Sequence, residues 1–168
     1  MHYYILFYAM KKILYFCSLK KKKNHNKKVT EMNNTINIRE GLGDIRFGMP
    51  VEAVLSVLGE AQSVETIDNN DDETTTILHY NDGALTLFFE GENPTLSCID
   101  ISDDNCTLFG EAVFDMEEKE IVQLMVKNNY YEQDVDQEAW GERRVSFGEG
   151  NIDFFFEDGD LTAIVYGN

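Results

Sequence analysis

The chain has 168 residues, 43% of them apolar, which is room for one ordinary domain or two very small ones sharing a core and excludes disorder of the whole. Its formal charge of −17 at pH 7 is unevenly placed: residues 1–31 hold eight lysines and one acid, whereas residues 32–168 hold six Lys/Arg and thirty Asp/Glu. A body so acidic repels nucleic-acid phosphates and anionic membrane surfaces, so the expected partner is a basic protein, with no nucleic acid and no membrane; plain solubility is the other use of such charge.

In chain order, the first 31 residues read as a basic leader outside the fold. A secretory signal needs an unbroken apolar run of roughly 7–15 residues, but the run 5–10 is cut by Lys11 and Lys12, and the run 13–17 is followed by Lys20 to Lys23. Neither run is long enough to span a membrane. The stretch 10–17 is only faintly similar to a lipoprotein signal, with bulky Tyr15 and Phe16 ahead of Cys17. The expectation is upstream sequence read from an early start, with Met32 rather than Met1 or Met10 as the native one and a cytoplasmic location. Cys17, Cys98 and Cys106 form no C-x-x-C pair and no disulfide framework, which suits a reducing compartment.

A short strand at 45–47 leads into Met49 and Pro50, and a proline in the first helical turn forfeits no hydrogen bond. Val51, Val54, Leu55 and Leu58 then fall at helical spacing, with Gly59 as the stop. After an acidic stretch come three strand signals: 74–80, rich in β-branched and aromatic residues; 85–89, where Leu85, Leu87 and Phe89 alternate; and 96–101. Asn81, Asp82 and Gly83 form the turn between the first two. A second helix is expected where Glu117, Glu118 and Glu120 suit the positive end of the dipole and Ile121, Leu124 and Met125 form an apolar face. Strands at 143–147, 152–156 and 161–166 close the chain.

A shift of 67 residues lays Gly43, Phe47 and Met49 on Gly110, Phe114 and Met116. The same shift lays Gly83, Phe88, Phe89 and Glu90 on Gly150, Phe155, Phe156 and Glu157, without a gap. Two blocks that keep one register read as an internal duplication. The expected fold is α+β: two tandem β-α-β-β-β repeats, 32–104 and 105–168, forming one antiparallel sheet with both helices on one face.

Alternation within the strands assigns Leu85, Leu87, Phe89, Ile152, Phe154 and Phe156 to the helix bed. Phe88 and Phe155 fall on the second face, where Ile99, Ile101, Ile164 and Tyr166 are expected to join them. Left uncovered, that face is an interaction surface; closed by a loop or by the segment 126–142, it is a second core. Between 130 and 140, Tyr131, Asp134, Asp136 and the single tryptophan, Trp140, mix aromatic anchors with acids, as hot spots for basic partners do, or else form a local hydrophobic cap. The candidate protein-binding residues are therefore Phe88, Ile101, Tyr131, Asp134, Asp136, Trp140, Phe155 and Tyr166.

Catalytic signals are weak. His79 is the single histidine after residue 31, and no Ser or Cys beside it lies in a nucleophile motif. Residues 68–72 resemble the opening of a calcium loop, but Glu73 occupies the turn-glycine place and His79 that of the bidentate glutamate. No catalytic residue, metal or cofactor is expected, and the leading reading is a non-enzymatic acidic binding module, such as the immunity protein of a basic bacterial toxin. Two alternatives stay open: an enzyme or small-ligand carrier with a site between the copies that uses His79, and a component of an envelope assembly.

The segment from Phe47, Gly48, Met49 and Pro50 to Leu58 and Gly59, followed by strands ending Leu87, Phe88, Phe89, Glu90, resembles a superfamily containing the β-lactamase inhibitory proteins and the small outer-membrane assembly lipoproteins of the SmpA/OmlA type. The second copy departs from that pattern with Asp115 in place of Gly48 and no Leu-Gly helix end. The resemblance implies a tandem module that grips another protein on the concave face of its sheet, and it names no target.

Overall fold

The computed structural model describes residues 33–68, 74–138 and 141–168. The expectations for the leader, for Met32, for the interior of the acidic loop and for Trp140 lie outside the described residues. Thr35–Asn37 (β1), Gly41–Leu42 (β2) and Ile45–Arg46 (β3) precede the first helix, Val51–Leu58 (α1), and four strands follow it: Ser63–Asp68 (β4), Thr74–Tyr80 (β5), Leu85–Glu90 (β6) and Thr95–Ile101 (β7). The second half runs through Thr107–Leu108 (β8), Glu111–Ala112 (β9), the helix Glu118–Lys127 (α2), Gln133–Gln137 (β10), Arg143–Phe147 (β11), Ile152–Glu157 (β12) and Asp160–Gly167 (β13).

The described residues are thus mostly β, in two sheets and not the single one expected. The larger sheet is ordered β10-β11-β12-β13-β7-β6-β5-β4, and every pair in it is antiparallel. The smaller is ordered β3-β2-β1-β8-β9, with β1 and β8 parallel. Two expectations change as a result. The strand before α1 belongs to the smaller sheet, and each helix is followed by four strands, because the acidic stretches form β4 and β10. Those two are the outer strands of the larger sheet and lie almost wholly exposed, so they carry charge and hydroxyls where a buried strand would carry an apolar run.

Both helices and the smaller sheet share one core with one face of the larger sheet. Val54 of α1, Ile121, Leu124 and Met125 of α2, and Ile36, Leu42, Ile45 and Leu108 of the smaller sheet cluster with Leu87, Phe89, Phe154 and Phe156. Burying a side chain of this size contributes about 1.5–3 kcal/mol, which makes this face the main source of stability. Polar contacts fix the docking. The Gly48 N–H donates to the Leu96 carbonyl at 2.8 Å and the Leu96 N–H to the Met49 carbonyl at 2.9 Å. The Tyr80 hydroxyl donates to the Gly59 carbonyl at the end of α1 at 3.0 Å. Tyr166 meets Phe47 edge to face at 5.7 Å and donates its hydroxyl to the Gly41 carbonyl at 3.0 Å. Glycine is required at 41, since its φ is +147° and a Cβ there would lie 2.1 Å from the Ile45 carbonyl oxygen.

Candidate functional site

Directly opposed residues of an antiparallel pair share a face. Ile99 is opposite Leu87, Ile101 opposite Leu85 and Ile164 opposite Phe154, so all of them belong to the helix-side core. Tyr166, opposite Ile152, joins them. The sequence reading put Ile101 and Tyr166 on the outer face, and the register corrects this: both are fully buried among the helices. A register irregularity lies between Phe88 and Phe89 and another between Phe155 and Phe156, so alternation followed along one strand gives the wrong parity on the next.

Phe88 and Phe155 do lie on the opposite face, outside the helix-side cluster. Phe88 is flanked across the strands by Ile77 and Cys98, and Phe155 by Arg144 and Ala163. Both are withdrawn from solvent, at 4% and 5% exposure, so of the two expectations for this face, open aromatic surface or second core, these rings fit the buried one. One cross-strand row on this face runs His79, Thr86, Asp100, Val165, Asp153, Ser146, Asp134. Asp100 and Asp153 thereby stand on either side of Val165, an acidic pairing that the sequence alone concealed because their strands are far apart in the chain. Burial, together with the charges of Asp100, Glu90 and Asp153, pushes the Cys98 thiol well up.

At the edge of the larger sheet, β10 brings together Asp134 and Asp136, both exposed, with Tyr131 just before it at 60% exposure. The Tyr131 N–H donates to Glu149 Oε2 at 2.6 Å and its hydroxyl to Asn129 Oδ1 at 2.9 Å, holding the ring outward. Asp136 is ion-paired with Arg144. Burial acts to lower the Arg144 pKa but is outweighed by Asp153, Asp136 and Asp134, which leave it raised. Val135, opposite Val145, extends the apolar row of the helix-side face to the edge. The period-2 pattern around Val135 was its signal, hidden by the absence of a neighbouring apolar run.

His79 is 12% exposed, with Nδ1 3.1 Å from Thr86 Oγ1 and Nε2 3.6 Å from Glu65 Oε1. It lies on β5, separated by β6 and β7 from the β7–β13 seam. Cys106 is fully buried, and burial with Asp103 and Asp104 pushes its thiol up to about 12. Among the described residues no group of three or more His, Cys, Asp or Glu is arranged to hold a metal ion, and no helix is long and apolar enough to cross a membrane.

No protein-family profile matches the chain, and no curated protein is similar to it in sequence. Among solved structures, an extracellular protein containing an SCP domain from Bacillus anthracis str. Ames is similar at a TM-score of 0.46 and 13% identity, over 89% of this chain and 49% of the other, so this chain spans about half that protein's length.

Proposed function

We propose that the chain is an internally duplicated, non-enzymatic acidic module that binds a basic protein, the immunity protein of a bacterial toxin being one role of that chemistry. The duplication is supported by elements that repeat at the 67-residue shift: α1 and α2 both begin at corresponding positions, and the two register irregularities fall at Phe88/Phe89 and Phe155/Phe156. The thiols of Cys98 and Cys106 are both pushed up by burial, which favours their unreactive protonated form.

The carrying observation is how the few cations are used. Of the six Lys/Arg after residue 31, Arg143 is held by Glu118, Arg144 by Asp136, Arg39 by the Gly148 and Glu149 carbonyls, and Arg46 by the Gly43 and Ile45 carbonyls. Against thirty acids after residue 31 the six cations leave a large net negative charge, and a field of that sign accelerates encounter with a basic surface. The cytoplasmic location and the envelope alternative both rest on residues 1–31 and so on neither sheet.

The test is capture from host lysate on the immobilised full chain at low and at moderate salt, followed by association kinetics with the purified captured protein. A basic protein whose association rate falls with ionic strength is the expected result. Retention of acidic or neutral proteins alone, or association indifferent to salt, overturns the reading.

A further inference from the structure

We infer that β10 is a docking edge at which an extended segment of the partner, carrying Lys or Arg at alternate positions, adds to the larger sheet as a further antiparallel or parallel strand. This rests on the basic-partner reading above and specifies where and how the partner is held. Among the described residues β10 pairs with β11 alone. The Glu138 N–H donates to the Glu142 carbonyl at 2.8 Å, one step beyond the pair Gln137 with Arg143. Hydrogen-bonded and non-hydrogen-bonded pairs alternate in an antiparallel ladder, so Asp134, Asp136 and Glu138 turn their backbone groups toward β11. Gln133, Val135 and Gln137 turn theirs away from it, toward the open edge.

The side chains sort the same way. Asp134 and Asp136 share the outer face, while Val135 stands in line with the core residue Val145 on the helix side. A strand laid along this edge meets acids on one face and an apolar side chain on the other, which is complementary to alternating basic and apolar residues. A second copy of this chain is a poor occupant: antiparallel pairing of β10 with itself about Val135 sets Asp134 against Asp136, and like charges directly opposed are destabilising. The opposite outer strand, β4, carries one acid, Glu65, on its outer face beside Ser63 and Ile67, and lacks this charge pattern.

The test uses the full chain and a short synthetic peptide alternating Lys with Val, compared with the same peptide N-methylated on alternate amides, which keeps the charge and removes the strand hydrogen bonds. Amide hydrogen exchange by NMR is expected to slow at Gln133, Val135 and Gln137 with the first peptide only, and the second is expected to bind about tenfold more weakly or worse, as two or more lost hydrogen bonds dictate. Val135→Pro removes an edge-facing N–H that the β10–β11 ladder does not use, so it is expected to spare the fold and abolish the slowed exchange. Equal affinity for the two peptides, or slowed exchange elsewhere than β10, overturns strand addition while leaving the salt-dependent capture of a basic partner to stand. Absence of peptide binding together with absence of such capture removes both.

Discussion

The two halves of the larger sheet, β4–β7 and β10–β13, carry the same strand order in mirror image about the β7–β13 seam; both tie a hydroxyl, Ser97 or Thr162, to the Phe88 or Phe155 carbonyl, yet they differ in other polar attachments. The second half ties Glu120 to the N-terminus of α2, Arg143 to Glu118, and the Tyr166 hydroxyl to the Gly41 carbonyl. At the matching positions the first half has Ala53, Thr76 with Val51, and Ile101, which is opposite Leu85 as Tyr166 is opposite Ile152, the turn before the last strand being two residues shorter in the second half. Under the proposed duplication, one apolar skeleton specifies the topology of both halves. The polar contacts at Glu120, Arg143 and Tyr166 add to how the second half is held.

The largest test of equivalence is in the core. Phe89 and Phe156 occupy matching places, both essentially inaccessible to solvent. Replacing either by Ala is expected to cost about 3–5 kcal/mol in urea denaturation. Costs that differ by more than about 2 kcal/mol would show that the skeletons only look alike.

Next in size is Tyr166→Phe, which keeps the ring and strands the Gly41 carbonyl, for about 1–3 kcal/mol; no matching bond exists at Ile101, where Ile101→Val is expected to cost about 0.5–1.5 kcal/mol. The same residue gives a pH signature. Burial pushes Tyr166 well above its ordinary 10.0 and pushes Cys106 from 9.0 up to about 12. Both folded-state values are raised, so this contribution is whole below pH 9 and is lost as pH climbs toward 12. Thermal unfolding followed across that range is expected to show Tm falling, and falling less steeply in Tyr166→Phe.

How much of this the sequence disclosed follows from what each signal depends on. Both helices and six of the eight strands of the larger sheet were legible because apolar spacing is local: Val51, Val54, Leu55 and Leu58 announce α1 without reference to anything distant. β4 and β10 were missed because edge strands need no apolar run, and Glu65, Asp134 and Asp136 gave no strand signal. The site was less legible still. The side on which Ile101 and Tyr166 fall depends on cross-strand register, which the irregularities at Phe88/Phe89 and Phe155/Phe156 displace by an amount no single strand records. Asp134 and Asp136 were found as an acidic pair, but their place on an open edge needed the sheet order.

A smaller effect separates the helices. Glu120 accepts from the Glu117 N–H at 2.9 Å, a bond with no counterpart in α1, where Ala53 stands in place of Glu120 and Pro50 in place of Glu117. Glu120→Ala is expected to cost about 0.5–1 kcal/mol, whereas Ala53→Glu can add no more than a few tenths because Pro50 precedes α1 and has no N–H to offer. Urea midpoints of the two variants decide it. Equal and opposite shifts would mean that the electrostatics of the helix dipole, and not the specific hydrogen bond, separates the two ends.

The smallest expected effect is the Arg143–Glu118 pair, which joins β11 to α2 at 2.8 Å. Arg143 is raised above its ordinary value first by the hydrogen bond to Glu118, but its side chain is 37% exposed and that of Glu118 30%. Solvent screens an attraction of this kind, so the coupling in a double-mutant cycle of Arg143→Ala and Glu118→Ala is expected to be about 0.3–0.8 kcal/mol and to fade in about 1 M salt. Thr76 and Val51 at the matching places of the first half can form no ion pair, so the cycle measures directly what one polar addition contributes to a skeleton that manages without it elsewhere. A coupling that survives high salt would mean that the bidentate geometry and not the charge holds α2 to the sheet, and that the second half is more tightly clamped than its exposed surface implies.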